Sequence, residues 1–178
     1  MTELQFKKFE NELDDLVSFM TSNTWDFHAN PNPSSERIVK TYDSGYYQED
    51  NETYWIEYLN EKVGLIVIHD IDDTIPLFDL RLSSKYRGKG FGAEAVRWIT
   101  DYIFTLPDEK IRIEAYTRSD NIAMRKTFQK CGFVKEGYLR HAWENDDGSI
   151  SDSVCYAIIR CDWENKMITP IKINDVPF

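Results

Sequence analysis

Gly88, Gly90 and Gly92 stand at alternate positions among Lys85, Arg87 and Lys89, and no acidic residue falls between Ser83 and Ala93. Glycines at this density leave main-chain N–H groups open to an anion that a β-carbon would hold off, and the cations beside them add positive charge. The run Leu80-Arg81-Leu82 before the turn reads as a strand, and Phe91-Gly92-Ala93-Glu94-Ala95-Val96 after it opens a helix. Amides and peptide dipoles at a helix N-terminus converge on negative charge, so the chemistry offered is phosphate binding. The surroundings sharpen the contrast, because the 178-residue chain carries 31 acidic against 21 basic residues and a formal net charge of -10. The competing reading is a surface turn with ordinary solvated cations.

Two other phosphate motifs bear on this turn. A P-loop needs Gly-x-x-x-x-Gly-Lys-Ser/Thr, and no stretch of the sequence matches it. Gly88-x-Gly90-x-x-Ala93 does fit the dinucleotide fingerprint G-x-G-x-x-G/A, and Glu114 follows at about the distance of the ribose-binding acid. In that fold the first glycine follows its strand almost at once, near the start of the domain. Here Ser83 to Arg87 intervene and most of a half-domain precedes them. A nicotinamide-dinucleotide-binding protein therefore stays as the less favoured alternative.

The elements that must position the turn follow from periodicity. Leu4 to Phe9 reads as a strand, Leu13, Leu16, Val17 and Met20 recur at helical spacing, and a second helix runs from Ser34 or Ser35 to Tyr42. Thr53 to Leu59 and Val63 to Ile71 form a hairpin, and a strand over Ile75 to Ser83 feeds the glycine turn. A helix over Gly92 to Phe104 follows, then a strand over Ile111 to Thr117, a helix over Asn121 to Cys131, and strands over Phe133 to Trp143 and Ser153 to Cys161. The order is β-α-α-β-β-β-α-β-α-β-β, an α/β (α+β) fold with a mixed, mostly antiparallel sheet and helices on both faces. One domain is expected over residues 1–163, with 164–178 as a C-terminal arm or tail.

Composition narrows the setting. Cys131, Cys155 and Cys161 form no C-x-x-C pair, which points to a reducing, cytoplasmic compartment and to neither a disulfide framework nor a metal site. The N-terminus lacks the apolar segment of a signal peptide, and no run spans a bilayer, so no membrane partner is expected. An acidic surface repels nucleic acid and attracts a cationic amine.

Arg87-x-x-Gly90-x-Gly92 also resembles the acyl-coenzyme-A signature R/Q-x-x-G-x-G/A of the GNAT superfamily of N-acetyltransferases. Two further stretches extend the resemblance over about residues 53–163. Asn121-Ile122-Ala123 with Lys130-Cys131-Gly132-Phe133-Val134-Lys135-Glu136-Gly137 is similar to the N-x-x-A/S…K-x-G-F-x-x-E-G run of the branch that includes ribosomal-protein and polyamine acetyltransferases. Gly148 to Asp152, with Cys155-Tyr156-Ala157 and Asp162-Trp163, resembles that branch's closing hairpin.

The resemblance implies a use for each part. Amides of Arg87, Gly88, Lys89, Gly90, Phe91 and Gly92 would hold the pyrophosphate of acetyl-CoA. Pantetheine would pair with the backbone of Leu80 to Leu82 where two central strands splay, and an N–H there would stabilise the developing oxyanion. Asn121 would contact pantetheine, with a plain N-cap as the competing role. Arg125, Lys126 and Lys130 would reach the nucleotide phosphates, or lie on a solvated helix face.

Acetyl transfer also needs a base for the amine and an acid for the thiolate. Many relatives place a tyrosine three residues before the C-G-F type turn as that acid, and Phe128 stands there instead, beside the coenzyme by the same correspondence. Some relatives carry a glutamate where this chain has Tyr116. Glu114, on the same strand face, and Asp79 are the candidate bases, each with an ion pair as its competing role. Trp25, Phe27, His28 and Tyr46, with Tyr42 and Tyr47 nearby, fall where relatives form the acceptor side, and core packing competes for each ring.

The expected function is acetyl transfer from acetyl-CoA to a primary amine, either a protein N-terminus or a small cationic molecule such as a polyamine or aminoglycoside. No Cys or Ser stands beside a plausible base, so transfer is direct, in a ternary complex. A non-catalytic acyl-CoA-binding sensor is the alternative that Phe128 keeps open. A homodimer through the C-terminal strands and tail is a further expectation.

Overall fold

The computed structural model describes residues 3–107, 109–173 and 175, and the ends of the expected N-terminal stretch and C-terminal tail lie outside these. In chain order the elements are β1 (Gln5–Lys8), α1 (Leu13–Thr21), α2 (Ser35–Asp43), β2 (Glu52–Tyr58), β3 (Glu61–His69) and β4 (Leu77–Leu82). A 3-10 turn at Ser84–Tyr86 leads to α3 (Phe91–Thr105), β5 (Arg112–Arg118), α4 (Ile122–Lys130), β6 (Val134–Glu144), β7 (Ile150–Ile159) and α5 (Arg160–Asn165). The strands form one sheet in the order β1-β2-β3-β4-β5-β7-β6, antiparallel everywhere except between β4 and β5. The expected fold class and element order are thus observed.

Local chemistry sets the element ends. Ser34 caps α2 by accepting from the Arg37 amide, and Asn121 caps α4 by accepting from Met124. Leu59 and Asn60 both take positive φ, which closes β2 onto β3 in the tight turn whose twist suits a hairpin.

The sheet is buried on both sides, which is why β3 reads as an unbroken apolar run. Ile66 and Ile68 face a core completed by Ala95, Val96, Ile99 and Ile103 of α3 and Phe128 of α4. Leu65 and Val67 face a second core with Leu16, Phe19 and Met20 of α1 and Ile38 of α2.

One element departs from expectation. The last strand ends at Ile159, and α5 occupies residues expected to be strand or patternless. Asp162 is buried there, accepting from the Thr169 amide at 2.9 Å and its hydroxyl at 2.6 Å, while Trp163 donates to Asp101 at 2.7 Å. A helix of six residues is held by such contacts and is too short for periodicity to reveal.

Candidate active site

The centre of the sheet is open. Along β3, β4 is paired from Gly64↔Leu82 to His69↔Leu77, whereas on its other side it meets β5 at a single pair, Leu77↔Glu114. Beyond that pair the two strands diverge, which is the splay that the family resemblance implied. Two cavities meet at this opening, one of about 450 Å³ and one of about 420 Å³.

The larger cavity runs from the opening to the start of α3. Leu80, Leu82, Arg87, Gly88, Gly90, Gly92 and Asn121 line it, with Ala123, Lys126, Thr127 and Lys130 along one face of α4. Gly90 caps α3 with φ +91° and Gly88 has φ +75°, a region that disfavours any side chain. A β-carbon at either would meet no atom of the protein within 4 Å, so the space beside them is free for a ligand. Among the described residues, no protein group accepts from the amides of Gly88, Lys89, Gly90, Phe91 or Gly92. Five successive donors without partners at a helix start match the needs of a pyrophosphate.

The side chains of this turn act differently from the sequence expectation. Arg87 donates from Nε to the Leu82 carbonyl at 2.9 Å and stacks its guanidinium 5.4 Å from the Trp25 ring, so it fastens the turn to the end of β4. Lys85 pairs with Glu61 at 3.2 Å, and Lys89 lies over the Tyr86 ring. Phe91 stacks on Tyr86 and lines neither cavity. The cationic side chains along the groove are therefore Arg87, Arg81, Lys126 and Lys130.

Three more of the predicted site residues lie outside both cavity walls. Arg125 donates to the Ser119 carbonyl at 2.6 Å and lines neither cavity, whereas α4 turns Ala123, Lys126, Thr127 and Lys130 to the groove. Phe128 is buried in the core against Phe78, Phe133 and Tyr156 and touches neither cavity. Glu114 is held by Arg112 at 2.8 Å, accepts from the Tyr116 hydroxyl at 2.8 Å and lines neither cavity.

The smaller cavity lies on the α1–α2 side of the sheet. Leu77, Asp79 and Arg81 of β4 share the strand face that lines it, opposite Leu80 and Leu82, and Phe78 adds to the wall. Tyr116 of β5, Tyr46 and Tyr47 after α2, His69 at the end of β3, Arg37 of α2 and Trp143 of β6 also line it. Trp25 and Phe27, expected on the acceptor side, line the larger groove, and His28 and Tyr46 take the acceptor side. Sequence reasoning passed over Arg37, His69 and Trp143 as wall residues.

His28 and Arg81 line both cavities. The loop carrying His28 is irregular in sequence but tied at several points. Trp25 donates from its amide to the Pro31 carbonyl at 2.8 Å and from its indole to the Met20 carbonyl at 2.9 Å. The Asp146 amide in the β6–β7 turn donates to the Ala29 carbonyl at 2.9 Å, and Arg118 donates to the Asp26 carbonyl at 3.1 Å.

Asp79 is the charged centre of the junction. Its carboxylate lies 3.3 Å from Arg81 Nε and 3.6 Å from His28 Nδ1. Burial alone would raise the Asp79 pKa, but Arg81 above all, the neighbouring histidines and the Leu80 amide outweigh it and hold the carboxyl below its ordinary value. Burial pushes His28 down to about 4 despite Asp79, with Arg81 and Arg87 acting in the same direction as burial. His28 is thus a neutral imidazole at pH 7, and the charge that keeps Asp79 ionised comes from Arg81. Tyr116 is raised well above its ordinary value, first because its hydroxyl donates to Glu114 and then by burial, so it retains its proton. Among the described residues no cluster could hold a metal ion, and no helix is long and apolar enough to cross a membrane.

Comparison with known proteins places this geometry. Residues 3–134 match the family described as Acetyltransferase (GNAT) domain. The SPbeta prophage-derived uncharacterized N-acetyltransferase YokL of Bacillus subtilis is 31% identical over 148 residues, 72% of this chain and 82% of that protein. The spermidine N(1)-acetyltransferase of Escherichia coli K12 is 24% identical over 136 residues, covering 75% of this chain and 70% of that protein. Among solved structures, spermidine N-acetyltransferase from Vibrio cholerae in complex with CoA and spermine superposes with a TM-score of 0.76 at 19% identity, over 91% of this chain and 98% of that one.

Proposed function

We propose, for a chain that belongs to the GNAT acetyltransferase family and is an acyl-CoA-dependent N-acetyltransferase, that it moves an acetyl group from acetyl-CoA directly to a small-molecule primary amine, with His28 and Asp79 handling the protons. The observation that carries this assignment is that His28 belongs to the walls of both cavities and sits 3.6 Å from Asp79, the one carboxylate among the described residues that line the smaller cavity.

Acetyl-CoA supplies an acyl group activated as a thioester. The amides of Gly88 to Gly92 would bind its pyrophosphate, with Lys126 and Lys130 beside them, and the free backbone edge of Leu80 to Leu82 would orient pantetheine. Asp79 holds the incoming ammonium, which loses one proton to solvent to become the nucleophile. His28, neutral at pH 7, takes the second nitrogen proton as the C–N bond forms and passes it to the sulfur as the C–S bond breaks. Asp79 stabilises the transient imidazolium. The sum is an amide, free CoA thiol and one released proton. This route needs no acid at Phe128 or Tyr116. A reducing cytoplasm, where acetyl-CoA is made and three free thiols persist, suits the enzyme.

Thiol release from acetyl-CoA with a panel of primary amines tests the assignment. His28→Gln and Asp79→Asn are expected to lower kcat by about 100-fold, with acetyl-CoA affinity within about twofold of wild type. Wild-type-like kcat in both variants would remove the proton route.

A further inference from the structure

We propose that the acceptor is a primary amine whose other functional group is a carboxylate, an amino-acid-like molecule rather than a polyamine, and that Arg37 at the cavity mouth enforces this choice. The inference rests on the acceptor role given above to the smaller cavity, and narrows it.

The first observation is the charge of the wall. In a protein of net charge -10, the described residues lining this cavity include one carboxylate, Asp79, against two guanidiniums, Arg81 and Arg37. His28 and His69 add no negative charge, and both are pushed toward the neutral form by burial. Asp79 is already engaged by Arg81. Arg37 is itself paired, through two contacts to Asp146, which fixes its guanidinium at the rim on the α2 side. Counting Asp146 as well brings the balance to zero and no lower. A molecule such as spermidine would bring two ammonium groups beyond the reacting one, and each would lose water beside a guanidinium with no second carboxylate to meet it. Like charges placed against the wrong ligand are how a site excludes it.

The second observation is a shortage of acceptors. Among the described residues four buried side-chain nitrogens lack a hydrogen-bond partner, and two of them, Arg81 Nη1 and Trp143 Nε1, belong to this cavity's wall. Both are donors, and a protonated polyamine offers only more donors. A carboxylate offers two oxygens. Both nitrogens are screened from the cavity surface, so reaching them requires a side-chain rotation. Trp143 arrives here because β6 is irregular: Leu139 pairs with Ser153 and Trp143 with Ser151, so β6 spends four residues where β7 spends two.

The test is calorimetric titration of alanine, glutamate, n-butylamine and spermidine into the CoA complex of wild type, Arg37→Glu and Arg37→Gln, followed by thiol-release assays on acetyl-CoA. Wild type is expected to bind the amino acids at least about tenfold tighter than spermidine. Arg37→Glu, which also frees Asp146, is expected to move that ratio about tenfold or more toward spermidine, and Arg37→Gln part of the way. The butylamine affinity should change least. Spermidine binding more tightly than either amino acid in wild type, no amine binding, or an Arg37→Glu ratio equal to wild type would each overturn the proposal. An amidated dipeptide binding as tightly as free alanine would also overturn it, and would move the acceptor to a peptide N-terminus. The expected binding order without turnover on any amine would support this charge selection and retire acetyl transfer alone.

Discussion

The coenzyme groove and the acceptor cavity are nearly equal in volume, at about 450 and 420 Å³, yet they are built in opposite ways. The groove relies on main chain: unpaired amides at a left-handed turn, a strand edge released by the β4–β5 splay, and small residues that let a ligand approach. The cavity relies on side chains from α1, α2, β3, β4, β5, β6 and two loops, around Asp79. Main-chain recognition suits a ligand that stays the same, since the backbone cannot drift with sequence. Side-chain recognition suits one that differs among relatives, because each wall residue can change alone.

Substitutions can break that division. Gly90→Val puts a β-branched residue at φ +91° and fills the space above the amides. Acetyl-CoA affinity should fall by about tenfold or more, with the binding of an amine acceptor to the apoprotein unchanged. Calorimetry against both ligands checks this, and equal losses on both would mean that the two regions are not independent.

The acceptor side should also report through stability. His28 has a folded pKa of about 4, below its ordinary 6.5, so the unfolded chain binds the proton first as pH falls. The stability it contributes is complete above pH 6.5 and is lost as pH drops toward 4, by about 3 kcal/mol at most. Asp79, also lowered, loses its contribution in the same direction as it is protonated. Denaturant melts between pH 7 and 4 should show this slope in wild type and a shallower one in His28→Gln. Parallel slopes would place His28 in contact with solvent.

The smallest effect belongs to the lysines of α4. Replacing Lys126 and Lys130 together by Met should weaken CoA about two- to fivefold at low salt, and by less as ionic strength rises. A loss as large as that of Gly90→Val would transfer the groove's recognition from backbone to side chains.

The same contrast explains what could be read from the sequence. The phosphate cradle of the groove is local: Gly88, Gly90 and Gly92 fall within five residues, a short turn after β4 and at the start of α3. Two predicted members, Arg125 and Phe128, lie off its wall through helix phase, since α4 directs Ala123, Lys126, Thr127 and Lys130 to the groove and Phe128 into the core. The cavity is not local. Arg37 meets Asp146 across 109 residues, and Trp143 reaches the wall through a strand irregularity that no spacing in the sequence announces. Asp79 was legible because strand alternation with Phe78 and Leu80 puts it opposite the core, whereas Glu114 obeys the same alternation and is taken up by Arg112. Alternation gives a face and does not tell which charges will neutralise each other on it.

Amide NMR of the isotopically labelled protein during titration with CoA tests the backbone cradle most directly. Hydrogen bonding to the pyrophosphate should shift the proton resonances of Gly88, Lys89, Gly90, Phe91 and Gly92 downfield together, by more than those of the acceptor loop at His28 and Ala29. Saturable CoA binding that leaves these five resonances in place while others move would contradict the account.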